Sequence, residues 1–325
     1  MTAVVFHAGV AAVLAWGLLF ALLKSGLASR IAVDKPNQRS LHSGVVPRIG
    51  GLAVAGIALV AMSIVAPSVQ VITVTALGLV LLFAVDDRRG LTVRTRLFVQ
   101  VIAAAVAAYT LQPAAPWWLM GLIAVATVWS MNLYNFMDGS DGLAGGMTVF
   151  GFGAFAFMAV SAGAAELAAA CGFIAGAALG FLLHNFPPAK VFLGDAGSVP
   201  LGFLAAVLGI AGWQQQVWPL WFPVLVFSPF IVDATVTLVR RAAAGQKVWE
   251  AHNEHLYQRM VMNGWGHART AIAWYAMMAL AAVSAIAAVS WPIAWQITLL
   301  LGWLGLYAVL YASLIRLVRA PADEA

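Results

Sequence analysis

Charged residues are scarce in this sequence: they make up 9% of its 325 residues, and only 12 residues are acidic. A soluble domain carries roughly a quarter charged residues, so this chain could not cover a water-exposed surface with polar side chains. Hydrophobic residues make up 63% of the chain and form long runs. Many runs approach or exceed the ~20 residues that a helix needs to cross a bilayer. The composition indicates an all-α, polytopic membrane protein.

Cysteine is also nearly absent, because Cys171 is the only one, and so no internal disulfide can form. The first apolar run, 3–23, lacks a basic n-region, and its positive charges Lys24 and Arg30 come after it. We therefore interpret this run as a retained membrane helix rather than as a signal peptide. No internal repeat or soluble domain is visible, and residues 1–325 are predicted to form a single membrane-embedded domain.

Eleven spans are predicted from the apolar runs and the turns between them. They lie at 3–23, 50–66, 69–85, 97–112, 117–135, 145–161, 166–183, 198–213, 217–238, 270–290 and 294–315. Under this division all 17 Lys and Arg residues fall on one side, which the positive-inside rule identifies as cytoplasmic. The N-terminus is then outside and the C-terminus inside. The net charge of +5 faces anionic lipid, so nucleic-acid binding is not needed to explain it.

Nearly all ionisable residues fall in five predicted cytoplasmic segments, which are 34–51, 86–96, 135–146, 184–198 and 239–269. The first, "DKPNQRSLHSGVVPRIGG", combines shaping Pro and Gly residues with the cationic donors Lys35, Arg39, His42 and Arg48. Since Arg binds phosphate oxygens bidentately, we expect these donors to bind phosphate groups. An ordinary positive-inside loop is the alternative.

The second segment begins with two adjacent acids, Asp86 and Asp87, at the end of the third span. Neighbouring carboxylates repel each other unless a cation lies between them. The pair therefore favours a divalent metal or a substrate proton. A solvated helix end, with Arg88 and Arg89 as partners, is the alternative.

The third segment lies in "NLYNFMDGSDGLAGG", where Asn132, Asn135 and Asp138 are spaced by three. This spacing predicts that they share one helix face at the inner end of the fifth span. Asp141 follows, between glycines that let a ligand approach the backbone closely. A loop that only caps a helix would use one Asp or Asn, so the cluster favours a functional site.

The fourth segment contains "FLGDAGS", in which Gly194, Asp195 and Ser198 lead directly into the eighth span. A Gly-rich turn at a helix N-terminus offers free N–H groups and a positive dipole end to an anion. Asp195 beside it could hold a metal that bridges to that anion.

The last segment places His252, His255 and Arg259 on one face of a predicted helix. Two histidines at this spacing could bind zinc, but no Cys or third ligand pattern accompanies them. Phosphate or sugar contacts are the interpretation we favour, and an amphipathic interfacial helix is the alternative.

Taken together, the segments offer five carboxylates among glycine turns and cationic side chains. Mg²⁺ takes one or two carboxylates and completes its octahedron with phosphates and water. The pattern therefore predicts Mg²⁺-dependent phosphoryl chemistry, with Mn²⁺ able to substitute. The membrane location suggests that one substrate is itself a lipid.

The five motifs, in this order, resemble the polyprenyl-phosphate N-acetylhexosamine-1-phosphate transferases. This family includes O-antigen and common-antigen initiators and the phospho-MurNAc-pentapeptide translocase. The resemblance covers about residues 30–270. It implies transfer of a sugar 1-phosphate from a UDP-N-acetylhexosamine to undecaprenyl phosphate at the cytoplasmic face of the bacterial inner membrane. It leaves a homodimer open.

Residue roles follow from the resemblance, motif by motif. It implies that Asp86 and Asp87 are the catalytic pair, with Asp86 deprotonating or orienting the lipid phosphate. Asp195 matches the metal ligand of the family, and the region of Asn135, Asp138 and Asp141 matches its nucleotide and metal site. His255 and Arg259 match the loop that contacts the diphosphate and sugar of the donor.

One motif departs from the family pattern. Many members read "HLHHR" where this chain reads "HLYQR", so Tyr257 and Gln258 replace two histidines, and His252 stands where many relatives have Asp. An apolar tyrosine ring beside the sugar favours a less polar edge. We therefore predict a 6-deoxy-N-acetylhexosamine donor, as in the branch that starts O-antigen synthesis.

Two other functions remain as alternatives. A transporter would use the inner acids as ion or proton sites, but transporters place such charges near the bilayer midplane, and here the acids cluster at span ends. A transferase of the prenyl or CDP-alcohol type would carry a D-x-x-D or D-G-x-x-A-R pattern, and "DGLAGG" lacks the Arg.

Overall fold

The structure is a computed structural model that describes residues 1–34, 41, 44–248, 250 and 252–317, with side chains described as far as residue 313. Helices dominate it. They are α1 Thr2–Lys24, α2 Ala28–Ile31, α3 Gly50–Val65, α4 Gln70–Arg89, α5 Val93–Leu111, α6 Trp117–Phe136, α7 Leu143–Ser161, α8 Ala165–Asn185, α9 Asp195–Gln214, α10 Trp221–Val226, α11 Ser228–Ala243, α12 Leu256–Met260, α13 Gly266–Ala288 and α14 Ile293–Leu317. A 3₁₀ turn, Pro67–Val69, precedes α4, and a π turn, Val261–Trp265, joins α12 to α13.

The prediction of an all-α polytopic membrane protein is confirmed. Within the described residues, nine helical segments are long and apolar enough to cross a membrane. Helix α3 is apolar but shorter, and the predicted span 217–238 forms two helices, α10 and α11. The count of eleven spans and their orientation stay predictions.

The break between α10 and α11 has a local cause. Pro229 lies in the first turn of α11 and has no N–H to continue the preceding helix. Ser228 Oγ lies 2.7 Å from the hydroxyl of Tyr307 on α14, so the polar residue at the break has a partner. The short α11 that results leads into the last predicted cytoplasmic segment, 239–269.

Helices α7, α8 and α9 form the centre of the molecule and are mostly buried, whereas α1 and α14 expose most of their apolar side chains. Helix α8 packs against α1, α3 and α7, and α9 packs against α4 and α6. The start of α9 therefore lies between the ends of α4 and α6. Polar groups at these three helix ends are brought together by the packing of apolar faces.

A small hairpin ties the first predicted cytoplasmic segment to the entrance of α9. Strands β1 Val33–Asp34 and β2 Val46–Pro47 pair antiparallel. Beyond β2, the N–H groups of Gly50 and Gly51 donate to the carbonyls of Phe192 and Leu193, at 2.9 and 2.7 Å. The start of α3 is thus fixed to the loop that leads into α9.

Two glycines make this approach close enough. A Cβ on Gly51 would lie 2.2 Å from the backbone nitrogen of Gly197, on the first turn of α9. Such a contact is below any van der Waals distance, so α3 and α9 would have to separate. A residue without a Cβ is therefore required at position 51, where the two helices begin.

We expect Gly51→Ala to destabilise the protein by about 1–3 kcal/mol, as overpacking does in a well-packed interior. Gly56→Ala is the matched control, because it lies on the same helix and a Cβ there meets nothing within 4 Å. Thermal unfolding in detergent measures both. Equal melting temperatures for the two variants would show that α3 and α9 do not approach as closely as described.

The predicted topology places Lys190 inside and Gln215 outside. In a Cys171→Ala background, Lys190→Cys should react with a membrane-impermeant maleimide only after permeabilisation, and Gln215→Cys should react in intact cells. Both residues are exposed, so access to the reagent is not limited by folding. Labelling of position 190 from outside would contradict the predicted orientation.

Candidate active site

The N-terminus of α9 is capped by a carboxylate from α4. Asp87 Oδ1 accepts the N–H of Asp195 at 3.1 Å, and Oδ2 accepts that of Ala196 at 3.0 Å. Gly194 has φ of +73°, and a Cβ there would lie 2.8 Å from Asp87 Oδ2. We expected a substrate anion at this helix end. The structure corrects that expectation, because Asp87 is the anion that the helix N-terminus holds.

Asp86 has different partners from Asp87. Its Oδ1 accepts the N–H of Leu91, and its Oδ2 lies 2.7 Å from Nε of Arg96. Successive residues on a helix point in different directions because each turn contains 3.6 residues. The two acids therefore face different protein donors. The partner of Asp86 is Arg96 rather than the arginines that follow the pair.

Asp195, the first residue of α9, is held from two other helices. Arg96 Nη1 donates to Oδ2 at 3.1 Å, and Asn135 Nδ2 donates to Oδ1 at 2.8 Å. Asn135 also donates to Ser198 Oγ at 3.0 Å. The Asp195 side chain is 24% exposed, compared with 0% for Asp86 and 2% for Asp87. Of these three carboxylates, only that of Asp195 is open to a ligand.

The polar residues of the third segment do not share one helix face. Helix α6 ends at Phe136, so Asp138 lies beyond it. Asn132 Nδ2 donates to Gln100 Oε1 and to the Val128 carbonyl, both at 2.8 Å. Asn135, at the end of the helix, faces the site as predicted and bonds to Asp195, but Asn132 faces Gln100 on α5 instead.

Asp138 is partly exposed in the turn after α6. Within the described part of the chain, its carboxylate has no hydrogen bond or ion pair. Its restricted access to water, and then the charge of Asp195, raise the pKa of Asp138 well above its usual value, while Arg48 opposes the shift. A carboxylate in this position becomes ionised when a cation enters beside it.

Arg48 lies at the same helix ends. Its Nη2 is 2.9 Å from Oδ2 of Asp34, and its Nη1 is 3.9 Å from Oδ1 of Asp87. The backbone of Arg48 pairs with that of Phe192, which fixes the side chain at the mouth of the site. About a third of the side chain is exposed, so the guanidinium can still contact a phosphate.

Asp141 has a more occupied environment than Asp138. Its Oδ2 accepts the N–H of Ala189 at 2.9 Å, and its Oδ1 lies 3.7 Å from Nδ1 of His267. The other ring nitrogen of His267 lies 3.0 Å from the carbonyl of Leu41. Asp141 therefore helps to join three loops, and its carboxylate is already committed to protein partners.

The last segment is not the continuous helix that the sequence predicted. His252 precedes α12, His255 caps it immediately before its first residue, Leu256, and only Arg259 lies within it. The prediction that His252, His255 and Arg259 share one helical face was therefore wrong. Burial, and then the neighbouring His255, lower the pKa of His252 to about 4, so its ring is neutral near pH 7.

Three arginines converge on one carboxylate in this segment. Glu254 contacts Arg241, and its Oε2 lies 2.9 Å from Nη2 of Arg240 and 3.4 Å from Nη2 of Arg259. These pairs hold the loop before α12 against the end of α11. Since three guanidiniums meet one carboxylate, the cluster keeps a positive excess suited to an anion.

Tyr257 and Gln258, the departures from the family motif, face the protein interior. Tyr257 is fully buried, and its hydroxyl donates to the Phe136 carbonyl at 2.9 Å. Gln258 Oε1 accepts the N–H of His255 at 3.2 Å. The expectation that the tyrosine ring lies against the sugar is therefore corrected, because the ring is enclosed by protein and its hydroxyl is already bonded.

Three of the predicted phosphate contacts, Lys35, Arg39 and His42, lie outside the described residues. Arg48, Asn135, Asp138 and Asp195 come together at the ends of α4 and α6 and the start of α9. Gly194 and Ser198 shape that start, the first by its close contact with Asp87 and the second by its bond to Asn135.

Within the described residues, no three His, Cys, Asp or Glu side chains form a ready-made metal site. This fits Mg²⁺, which takes one or two carboxylates from a protein and completes its shell with phosphates and water. Asp138, which lacks a partner within the described residues, and Asp195, which is partly exposed, have the chemistry for it. Asp141 is less suitable because its side chain is 11% exposed, compared with 24% for Asp195, and its Oδ2 already accepts the N–H of Ala189.

Sequence reasoning missed three residues of this region. Arg96 bridges Asp86 and Asp195, yet the sequence presents it only as one basic residue among many. His267 and Asp233 were not assigned a role. Asp233 did carry a signal, since an ionisable residue within an apolar run is a functional hypothesis by default.

Comparison with known proteins is consistent with this arrangement. The model of the family "Glycosyl transferase family 4" matches residues 69–213. The chain is 29% identical over 294 residues to a probable undecaprenyl-phosphate N-acetylglucosaminyl 1-phosphate transferase of Bacillus subtilis, covering 83% of this chain and 82% of the relative. It is 30% identical over 259 residues to the undecaprenyl-phosphate alpha-N-acetylglucosaminyl 1-phosphate transferase of Yersinia pestis, covering 71% and 70%.

A third relative is named for a different substrate. The phospho-N-acetylmuramoyl-pentapeptide-transferase of Moorella thermoacetica is 28% identical over 292 residues, covering 81% of this chain and 90% of the relative. Residues 69–213, which the family model matches, contain the ends of α4 and α6 and the start of α9, where the acidic site lies. The chain therefore belongs to glycosyl transferase family 4, the polyprenyl-phosphate hexosamine-1-phosphate transferases that its five motifs resemble.

Proposed function

We propose that this protein transfers N-acetylhexosamine 1-phosphate from a UDP-sugar to undecaprenyl phosphate and releases UMP. An oxygen of the acceptor phosphate bonds to the phosphorus that carries the sugar. The bond from that phosphorus to the bridging oxygen breaks, and this oxygen leaves with the uridine phosphate as UMP. The observation that carries the proposal is the carboxylate of Asp138, which has no partner within the described part of the chain, beside the partly exposed carboxylate of Asp195.

These two carboxylates fit Mg²⁺, with Mn²⁺ able to substitute, and Asp138 and Asp195 would hold it. When bound, the cation would neutralise the negative charge of the phosphates. Asn135 and Arg96 keep the Asp195 carboxylate in one orientation, each from a different helix. Arg48 supplies a further positive charge for phosphate oxygens at the same mouth.

The buried pair acts on this site through the protein. Asp86 has no exposed side-chain surface and holds Arg96, so we place it as a residue that positions Arg96 rather than one that touches the acceptor phosphate. Asp87 holds the first turn of α9 and so fixes where Asp195 stands. Charge neutralisation with fixed geometry is what phosphoryl transfer chiefly requires.

The donor sugar is the least constrained part of the proposal. Two of the relatives are named for N-acetylglucosamine. Since Tyr257 is buried, it offers no physical reason for a 6-deoxy preference. We therefore propose an N-acetylhexosamine donor, with the reaction starting O-antigen or another cell-surface polysaccharide at the cytoplasmic face of the bacterial inner membrane.

The reaction is tested by incubating the purified protein with undecaprenyl phosphate, Mg²⁺ and a panel of UDP-sugars. We expect UMP release with UDP-GlcNAc or UDP-GalNAc and none when the lipid is omitted. The ratio of kcat/KM between 6-deoxy and 6-hydroxy donors should stay near one, and Tyr257→Phe should not shift it. Absence of UMP release with every N-acetylhexosamine donor would contradict the proposed function.

The acidic pair is tested by charge removal at constant shape. Asp138→Asn and Asp195→Asn should each lower kcat by at least about 100-fold, because the cation that would neutralise the phosphates is misplaced or lost. Glu250→Gln is the control, since Glu250 is an exposed acid that pairs with Lys247 at the surface. Retained activity in both aspartate variants at saturating Mg²⁺ would remove them from the site.

A further inference from the structure

Asp233 is a buried carboxylate that the proposed chemistry does not use. It lies on α11 with no exposed surface. Its Oδ1 accepts the N–H of Leu256 at 2.9 Å, and its Oδ2 accepts that of Tyr257 at 3.3 Å. Thr237 Oγ1 also donates to Oδ1, at 3.2 Å. One carboxylate on α11 thus holds the first turn of α12, which is separate in the sequence.

A buried charge is retained only where its partners compensate for lost water. The N-terminus of α12 provides such partners, because its first N–H groups lack intrahelical acceptors and carry a partial positive charge. A helix of five residues has little stability of its own. The position of α12 therefore depends on the groups that hold it, and Asp233 is the charged one among them.

The first turn of α12 also carries His255. Nδ1 of His255 lies 3.6 Å from Oδ1 of Asp233, and the ring is 3% exposed. On its other side the ring stacks on Phe136, with centroids 6.2 Å apart. The imidazole thus lies between the α11 carboxylate and the last residue of α6, near the charge of Asp233 but beyond hydrogen-bond distance from its Oδ1.

Helix α12 is joined in turn to the acidic site. The Tyr257 hydroxyl donates to the Phe136 carbonyl, two residues before Asp138. The turn after α6 approaches so closely that a Cβ on Gly139 would lie 2.3 Å from that hydroxyl. A shift of α12 would therefore be felt both at His255 and at the turn that carries Asp138.

We propose that Asp233 is a positioning residue of the transfer site, which orients His255 and the first turn of α12 toward the sugar nucleotide. This inference rests on the proposed function. It assigns Asp233 an effect on the donor that passes through His255, without contact between Asp233 and any substrate. If Asp233 served only folding, its substitution would lower the stability of the protein and leave the kinetics of the folded enzyme unchanged.

The test uses Asp233→Asn in the full-length protein. The amide oxygen can still accept one N–H of α12, but the amide NH₂ then faces the other N–H, so the turn must shift while the side chain keeps its size. We expect KM for the UDP-sugar to rise about 10- to 100-fold and KM for undecaprenyl phosphate to stay within about twofold. Steady-state UMP release measures both constants.

Ser228→Ala is the matched control for stability. Ser228 is a buried polar residue on the same helix, and its partner is Tyr307 rather than α12. We expect this variant to melt at a lower temperature with an unchanged KM for the UDP-sugar. The comparison separates loss of stability from misplacement of α12.

A double-variant cycle tests whether the effect passes through His255. Asp233→Asn combined with His255→Gln should be no more impaired in kcat/KM than His255→Gln alone, because the positioning residue has nothing left to position. Losses that multiply, or a wild-type KM for the donor in Asp233→Asn, would overturn the inference. If the wild-type protein released no UMP at all, the proposed function would fail instead, and the two failures are thus distinguishable.

Discussion

The geometry of the acidic site depends on the hydrogen bonds between Asp87 and the first turn of α9. The carboxylate at the end of α4 accepts the N–H groups of Asp195 and Ala196, so two helices that are distant in the sequence meet at a fixed distance. Its negative charge also offsets the positive end of the α9 dipole. Gly194 permits the contact because its φ of +73° and its missing Cβ leave room for the carboxylate. Asp195 therefore stands at a defined point between α4, α5 and α6.

Burial divides the acids of this site into two groups with different physical roles. Asp86 and Asp87 are enclosed, and each has donors that match its charge. Asp138 and Asp195 can be reached by a ligand, and Asp138 has no partner within the described residues. Since an uncompensated carboxylate at a membrane edge is costly, Asp138 calls for a cation or a cationic substrate, whereas Asp195 already has Arg96 and Asn135 as partners. Asp233 extends the same principle to α12, where a third enclosed carboxylate holds a helix start.

The class of the fold and the clustering of acids at helix ends could be predicted from the sequence, because long apolar runs and acids confined to their ends do not depend on the details of packing. The direction of individual side chains could not. Asn132 and Asn135 share a spacing of three, yet one bonds to Gln100 and the other to Asp195. Asp87 was predicted to be one of a catalytic pair, and its bonds to backbone N–H groups 108 and 109 residues away could not be predicted, because a single sequence does not reveal such pairs. The motif comparison suggested a sugar contact for Tyr257, which lies inside the protein.

The central claim is that Asp138 and Asp195 together form the cation site at these helix ends. A titration of Mn²⁺ into the purified protein in nanodiscs, in the presence of UMP, tests it directly and without turnover. Binding is measured as the loss of the electron paramagnetic resonance signal of free Mn²⁺. We predict a single saturable Mn²⁺ per chain that is displaced by Mg²⁺, that is lost in Asp138→Asn and in Asp195→Asn, and that persists in Glu250→Gln. Unchanged Mn²⁺ binding in both aspartate variants would contradict the account.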